Sequence, residues 1–284
     1  MNAESSNATP RDLAGLDSTC VSLLGIPFDA NSSLHRGAAL APAAIRTFLA
    51  SGSSNLTAEN RICIENPRFK DIGNINLTND STGFVSIEAT AREVLDRGAR
   101  LLALGGDHSI SFPLVKAIAA RVNSLTILHL DAHADLYEIF QDNRFSHACP
   151  FARIMEAGLA ARLVQVGVRT MNEHQRRQAS RFGAEVHEMK GRDPAWRLKA
   201  NGPVYLSLDL DVIEPGLAPG VSHPEPGGLT PREVLHIIQS VQGQLVGADI
   251  VEYNPTRDLS EITASVAVKM LKEIAGRMMA DSGP

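Results

Sequence analysis

LTILHLDAHAD, residues 125–135, begins as an apolar run with no polar alternation and stops abruptly in Asp131-Ala132-His133-Ala134-Asp135. A Leu/Ile-rich run of this kind is a strand buried on both faces, the mark of a parallel sheet. Similar runs recur at residues 21–26, 101–104, 163–168, 204–208 and 245–251. Helical periodicity fills the intervals at 42–49, 85–97, 109–122, 150–156, 173–181, 231–242 and 260–279. A helix after nearly every strand implies βαβ crossovers. The expected fold is therefore α/β, a single-domain, doubly wound and mostly parallel sheet with helices on both faces. Pro and Gly gather at 215–228 and 201–203, which read as surface loops. A polar, Ser/Asn-rich start is expected to form a flexible segment over residues 1–17, with a single folded domain at 18–284.

Composition narrows the function. The 284 residues are 44% hydrophobic and 21% charged, as in an ordinary globular domain. A net charge of −5 without a basic run argues against nucleic acid as a partner. No apolar stretch reaches the roughly 18–20 residues that span a bilayer, and the start lacks the apolar core of a secretory leader, so a cytoplasmic location is expected. Cys20, Cys63 and Cys149 are an odd, scattered set among apolar or small neighbours. They read as reduced, buried thiols, with Cys149 left open because it lies close to His147.

In an open α/β sheet ligands bind beyond the carboxyl ends of the strands, and four of these ends are polar. After the strand at 101–104, Gly105 and Gly106 allow a tight turn that delivers Asp107, His108 and Ser109 to a helix start. Asp107 or Ser109 as a helix cap with His108 incidental is the alternative there. In Asp131-Ala132-His133-Ala134-Asp135, alternation along an extended segment puts the three polar side chains on one face. Asp209 and Asp211 in SLDLD, residues 207–211, repeat the pattern. Carboxylates and imidazoles gathered in a dry crevice call for a bound cation. Oxygen donors with two imidazoles, and no cysteine in these segments, suit Mn²⁺. Six ligands exceed the need of one ion, so two ions roughly 3.5–4 Å apart are expected, activating water for hydrolysis. His147 in FSHACP, residues 145–150, offers a proton shuttle, or else a surface or capping residue. Glu252 in GADIVEYNP, residues 247–255, offers a carboxylate for a planar guanidinium, or else an ion pair with Arg257 or Arg169.

With GGDHS, DAHAD, SLDLD and GADIVEYNP in this order, the sequence resembles the ureohydrolase family of arginases and agmatinases from about Val21 to its end. Residues 146–169 and 218–229 are similar to the plant-type arginase branch and its bacterial relatives. The resemblance implies one manganese on His108, Asp131, Asp135 and Asp209 and another on His133, Asp131, Asp209 and Asp211, with Asp131 and Asp209 bridging. It also implies His147 as the proton shuttle, Glu252 as the guanidinium holder, and Asp135 as the group that aims the nucleophile. A homo-oligomer, trimer or hexamer, follows from the same resemblance. The helical region 260–279 would then pack between subunits or cover the sheet.

The departures bear on the substrate. Tyr137 stands where animal arginases have an asparagine at the substrate carboxylate, and Asn172 where they have an aspartate near the α-amino group. His223 replaces the threonine of the family's G-T-P loop, as a pocket residue or one packed on Pro224. The substrate expected is a small guanidino compound, L-arginine first and agmatine or a related guanidino acid second. A metal-binding scaffold that has lost turnover is the reading from a different class, disfavoured because all six ligands, His147 and Glu252 are present.

Overall fold

The computed structural model describes residues 13–80 and 82–281; most of the segment expected to be flexible lies outside them. Eight strands form one sheet: β1 (Val21–Gly25), β2 (Phe69–Asn74), β3 (Arg100–Leu104), β4 (Thr126–Leu130), β5 (Arg162–Val166), β6 (Glu185–His187), β7 (Pro203–Asp209) and β8 (Gln244–Val251). Their order is β2-β1-β3-β8-β7-β4-β5-β6, and every pairing is parallel. The chain first builds two halves, ending at β3 and beginning at β4, and later fills the gap between them with β7 and β8. All four strands that carry the polar tips thus stand side by side at the centre.

Seven α-helices complete the layers: α1 (Ala41–Ala50), α2 (Gly83–Asp96), α3 (Ser111–Ala119), α4 (Pro150–Glu156), α5 (Glu173–Phe182), α6 (Pro231–Ser240) and α7 (Ile262–Ala280). The pleat of β3 shows how both faces are buried. Leu102 and Leu104 join Ile45 of α1, Leu235 of α6 and Leu271 of α7 in one core. Leu101 and Ala103 join Ile87 of α2, Leu114 of α3, Ile154 of α4 and Ala179 of α5 in the other. The region 260–279 therefore covers the sheet: α7 contributes Met270, Leu271, Ile274 and Met278 to the first core.

The expected strands and helices are all present, and β2 and β6 are additions. Both are edge strands. FKDIGN has one fully buried residue and β6 none, so neither carries the continuous apolar run that betrays a central parallel strand. Among the described residues no helix is long and apolar enough to cross a membrane. All three cysteines are free, Cys20 and Cys149 buried and Cys63 only half-buried, which corrects the expectation for Cys63. Burial pushes the Cys149 thiol up to about 12, so it stays protonated.

Candidate metal centre

Beyond β3 the chain needs glycine for close approach rather than for a left-handed turn. A Cβ on Gly106 would overlap the carbonyl oxygen of Phe28, and the Asp107 N–H donates to that same oxygen at 2.8 Å. Asp107 then caps a 3-10 turn, accepting from the Ser109 N–H at 3.0 Å. Asp107 is thus the cap of the alternative reading, and the same cap fixes the turn that carries His108 into the crevice.

His108 is fully buried. Its Nδ1 lies 3.2 Å from Asp131 Oδ2, 3.1 Å from Asp135 Oδ2 and 3.1 Å from Asp209 Oδ2, yet makes no hydrogen bond. Donors about 2.2 Å from an ion and at right angles to one another stand about 3.1 Å apart. The three contacts of Nδ1 therefore have the spacing of neighbouring donors around an ion. The other ring nitrogen is tied down: His108 Nε2 is 2.9 Å from Ser207 Oγ, which donates to Asp249 Oδ1 at 2.7 Å. Asp249 is held in turn by the Ser111 and Tyr205 hydroxyls, each at 2.6 Å. The Ser207 hydroxyl is oriented by Asp249, so its oxygen accepts from Nε2–H and leaves Nδ1 as the atom that can ligate an ion once its own proton is displaced.

A second group forms alongside, with His133 Nδ1 at 2.9 Å from Asp211 Oδ2 and 3.4 Å from Asp131 Oδ1. Backbone N–H groups aim the carboxylates. Asp131 Oδ1 accepts from His133 N at 2.6 Å, Asp209 Oδ1 from Asp211 N at 2.8 Å, and Asp211 Oδ1 from Ala132 N at 3.0 Å. The segment D-x-H or D-x-D thus holds its own first carboxylate. Convergence comes from these turns and not from strand alternation as expected: β4 ends at Leu130, Asp211 sits in a 3-10 turn, and Asp135 has φ 50°. That left-handed backbone is costly for a non-glycine residue, as is φ 62° at Glu252, and such strain gathers at functional sites.

Charge balance points to a cation. Burial, then repulsion by Asp211 and Asp131, drives Asp209 well above the usual carboxylate range, and burial with Asp131 drives Asp211 to about 6. Burial alone would lower His108 and His133, but the surrounding carboxylates hold both well above the ordinary histidine value. Protons are standing in for positive charge. Divalent ions would let every carboxylate ionise, so the donor set fits a metal.

The ligand groups open into a cavity of about 250 Å³ also lined by Ser33, Tyr137, Thr170, Asn172, Gln175, His147, His223 and Glu252. Glu252 pairs with neither Arg257 nor Arg169: its Oε1 is 3.0 Å from His147 Nδ1 and accepts from the His108 N–H at 2.9 Å. Its Oε2 is buried and unpartnered. His147 is buried, not a surface residue. Burial opposes its protonation, but Glu252, Asp135 and Asp107 carry it up to about 9. His223 stands 4.7 Å from the His147 ring, centroid to centroid, and burial together with His147 lowers it to about 4. The Tyr137 hydroxyl accepts from Asn172 Nδ2 at 2.7 Å, while Asn172 Oδ1 caps α5 by accepting from Gln175 N at 3.0 Å.

Several supporting residues went unread in the sequence. His129 Nε2 lies 2.7 Å from Asp131 Oδ2 and its Nδ1 2.8 Å from Gln165 Nε2, so both ring nitrogens are engaged and it steadies Asp131. His129, Gln165, Ser207 and Asp249 share one signal, a polar residue inside an otherwise apolar central strand. Ser33 gave none, since its loop is unremarkable in composition.

The match to known proteins agrees with this geometry. The family model described as "Arginase family" matches residues 19–276. A relative from Medicago truncatula named "Arginase, mitochondrial" is 44% identical over 94% of this chain and 84% of its own length. One from Arabidopsis thaliana named "Arginase 2, chloroplastic/mitochondrial" is also 44% identical, over 94% and 83%. The solved arginase from Medicago truncatula superposes with a TM-score of 0.87 at 43% identity, covering 92% of this chain and 88% of that one. These names overturn the expected cytoplasmic location, because the relatives are organellar proteins. The absence of an apolar leader was no test of that: a transit peptide is amphipathic and Ser/Arg-rich, with no apolar core to detect. Matched over residues 19–276 and 44% identical to arginases over most of its length, the chain belongs to the arginase family.

Proposed function

We propose that this chain hydrolyses L-arginine to L-ornithine and urea, with two manganese ions held by His108, Asp131, Asp135 and Asp209 on one side and His133, Asp131, Asp209 and Asp211 on the other. The observation that carries this is His108 Nδ1, buried without a hydrogen bond and faced by three carboxylate oxygens at 3.1–3.2 Å. When bound, the ions supply a water acidic enough to be deprotonated near neutral pH and offset charge building on the guanidinium carbon.

The chain's own groups do the rest. Glu252 Oε2, buried and unpartnered, accepts from the substrate guanidinium and orients its plane. Asp135, which lines the cavity, accepts from the attacking water and aims it. His147, kept protonated by Glu252 beside its Nδ1, is the proton donor for the leaving amine, and Ser33 Oγ at 2.8 Å from Nε2 fixes the ring. Neutral groups, the Tyr137 hydroxyl, the Asn172 amide, Thr170 and Gln175, read the far end of the substrate. His223 adds a neutral imidazole to the same wall.

Identity to enzymes named arginases supports arginine as substrate. Agmatine is the second reading, favoured by one observation: no Lys or Arg is among the residues lining the cavity. Urea release by the manganese-loaded protein decides between them. Arginine should exceed agmatine in kcat/KM by about 10⁴-fold, because a site built for a polar group discriminates strongly against a substrate lacking it. Equal or reversed efficiencies would assign agmatine, and no urea from either would leave a metal-binding scaffold. Assembly as a trimer or hexamer belongs to this proposal, and light scattering tests it.

A further inference from the structure

At the opposite end of the strands from the metal-ligand groups, three arginines gather with little to neutralise them. Arg100 opens β3, and the pleat puts it on the face of Leu102 and Leu104, the face that α7 covers. Only 8% of the residue is exposed, and both terminal guanidinium nitrogens are buried without a hydrogen bond. Arg68 stands just before β2, and its carbonyl accepts from Val21 N at 2.8 Å, while Arg100 N donates to Cys20 O at 3.0 Å. The two arginines thus flank the start of β1. Arg277 comes from the last turn of α7 and donates to Gly243 O at 3.0 Å, and Arg68 reaches the same helix by donating to Met279 O at 2.6 Å.

Burial, then repulsion by Arg68 and Arg277, lowers Arg100 to about 10. Among the described residues only Arg277 has a carboxylate partner, Asp281, which also accepts from Leu245 N at 3.0 Å. Three guanidiniums with one carboxylate leave a local charge of +2. A buried guanidinium with no partner is costly, and its fork of N–H donors matches an oxyanion two bonds at a time. A cavity of about 510 Å³ lies alongside, open to solvent and lined by Arg100, Arg121, Ser18, Gln244 and Asp281. Rotation of the flexible Arg100 side chain presents its guanidinium to that space.

We propose that Arg100, Arg68 and Arg277 form a binding site for a doubly charged phosphate group, entered from this cavity. Charge selects the ligand class: a dianion cancels the local charge, where a carboxylate leaves half of it. A bound phosphate ties the starts of β1 and β3 to the end of α7, so binding stabilises the fold. Nothing in the proposal depends on the metal centre or on the reaction.

Thermal unfolding of the manganese-loaded protein, freed of excess metal, tests the site in millimolar inorganic phosphate, in millimolar glycerol phosphate and in sodium chloride of equal ionic strength. Phosphate at about 100 times its Kd should raise the Tm on the order of 5 °C above the chloride value. A larger rise with the ester identifies a phosphorylated metabolite as the ligand, and a larger rise with the inorganic ion identifies free phosphate. Arg100→Met should abolish the rise at unchanged manganese content and, having lost a buried unpaired charge, melt no lower than the wild type in chloride. Arg68→Gln, a half-buried position, should also abolish it and decides the matter should Arg100→Met fail to fold. A wild type that responds to neither phosphate beyond chloride overturns the proposal, as does an equal rise in the wild type and both variants, which would put the anion elsewhere.

Discussion

Asp209 serves binding at the expense of the ion-free protein. Its carboxylate is buried, and burial together with Asp211 and Asp131 pushes its pKa well above normal. Asn has the same shape and keeps an oxygen for the Asp211 N–H, but removes the repulsion. Asp209→Asn should thus raise the Tm of chelator-treated protein by a few degrees, on the order of 1 kcal/mol. It should also cut the bound ions from two toward none, since Asp209 is proposed to bridge; elemental analysis that still finds two would refute the bridge. Glu252 sits on the other side of this division. Glu252→Gln leaves the proposed ligand set intact, so ion content should hold while kcat/KM falls about 100-fold or more. A variant with wild-type kcat/KM would remove Glu252 from substrate binding.

At the scale of elements, α5 shows one side chain doing two jobs that substitutions can separate. Asn172 caps the helix through Oδ1, with Gln175 closing a reciprocal capping box, and reaches the Tyr137 hydroxyl through Nδ2. Ser also caps well but cannot reach Tyr137 in this way. Asn172→Ala should lose about 1 kcal/mol of stability, Asn172→Ser close to none, while both change KM for the substrate alike. Equal KM in Asn172→Ser and the wild type would confine Asn172 to the cap. The sequence disclosed six of the eight strands and all seven helices because central parallel strands are apolar throughout and the helices carry clear periodicity. It hid β2 and β6, whose edge positions tolerate Lys70, Asp71 and Glu185. It also hid the order β3-β8-β7-β4, which depends on pairings between strands distant in sequence, such as Leu102 with Ala248. The ligand types were legible from DAHAD and SLDLD, but their convergence was ascribed to the pleat when backbone turns and the left-handed Asp135 produce it. His129, Ser207 and Asp249 escaped because a polar residue in a buried strand acquires meaning only once its neighbour across the sheet is known.

Over the whole molecule, the candidate metal centre lies where the two halves of the sheet are joined by β7 and β8, so its charge state is coupled to global stability. Without ions, His108, His133, Asp209 and Asp211 all have folded-state pKa values raised above their unfolded ones. Such groups bind more protons folded than unfolded; their contribution is complete below the unfolded pKa and is lost as pH climbs through the folded one. For the two histidines this window opens near their ordinary value of 6.5 and extends upward. Asp131 runs the other way: its folded pKa lies well below 3.8, and its contribution is already constant across this range. The proposed ions would displace the protons, and each proton released would strengthen ion binding about tenfold per pH unit, or about 1.4 kcal/mol. For a chain of this size that is roughly 3 °C per displaced proton. The Tm gap between manganese-loaded and chelated protein should therefore widen steadily from pH 6.5 to pH 8.5, chiefly because the chelated form loses stability. Scanning calorimetry of both forms at fixed free manganese measures it. A gap independent of pH would mean that no protons leave His108 and His133 on loading, and that the ions, if bound, sit somewhere other than between the tips of β3, β4 and β7.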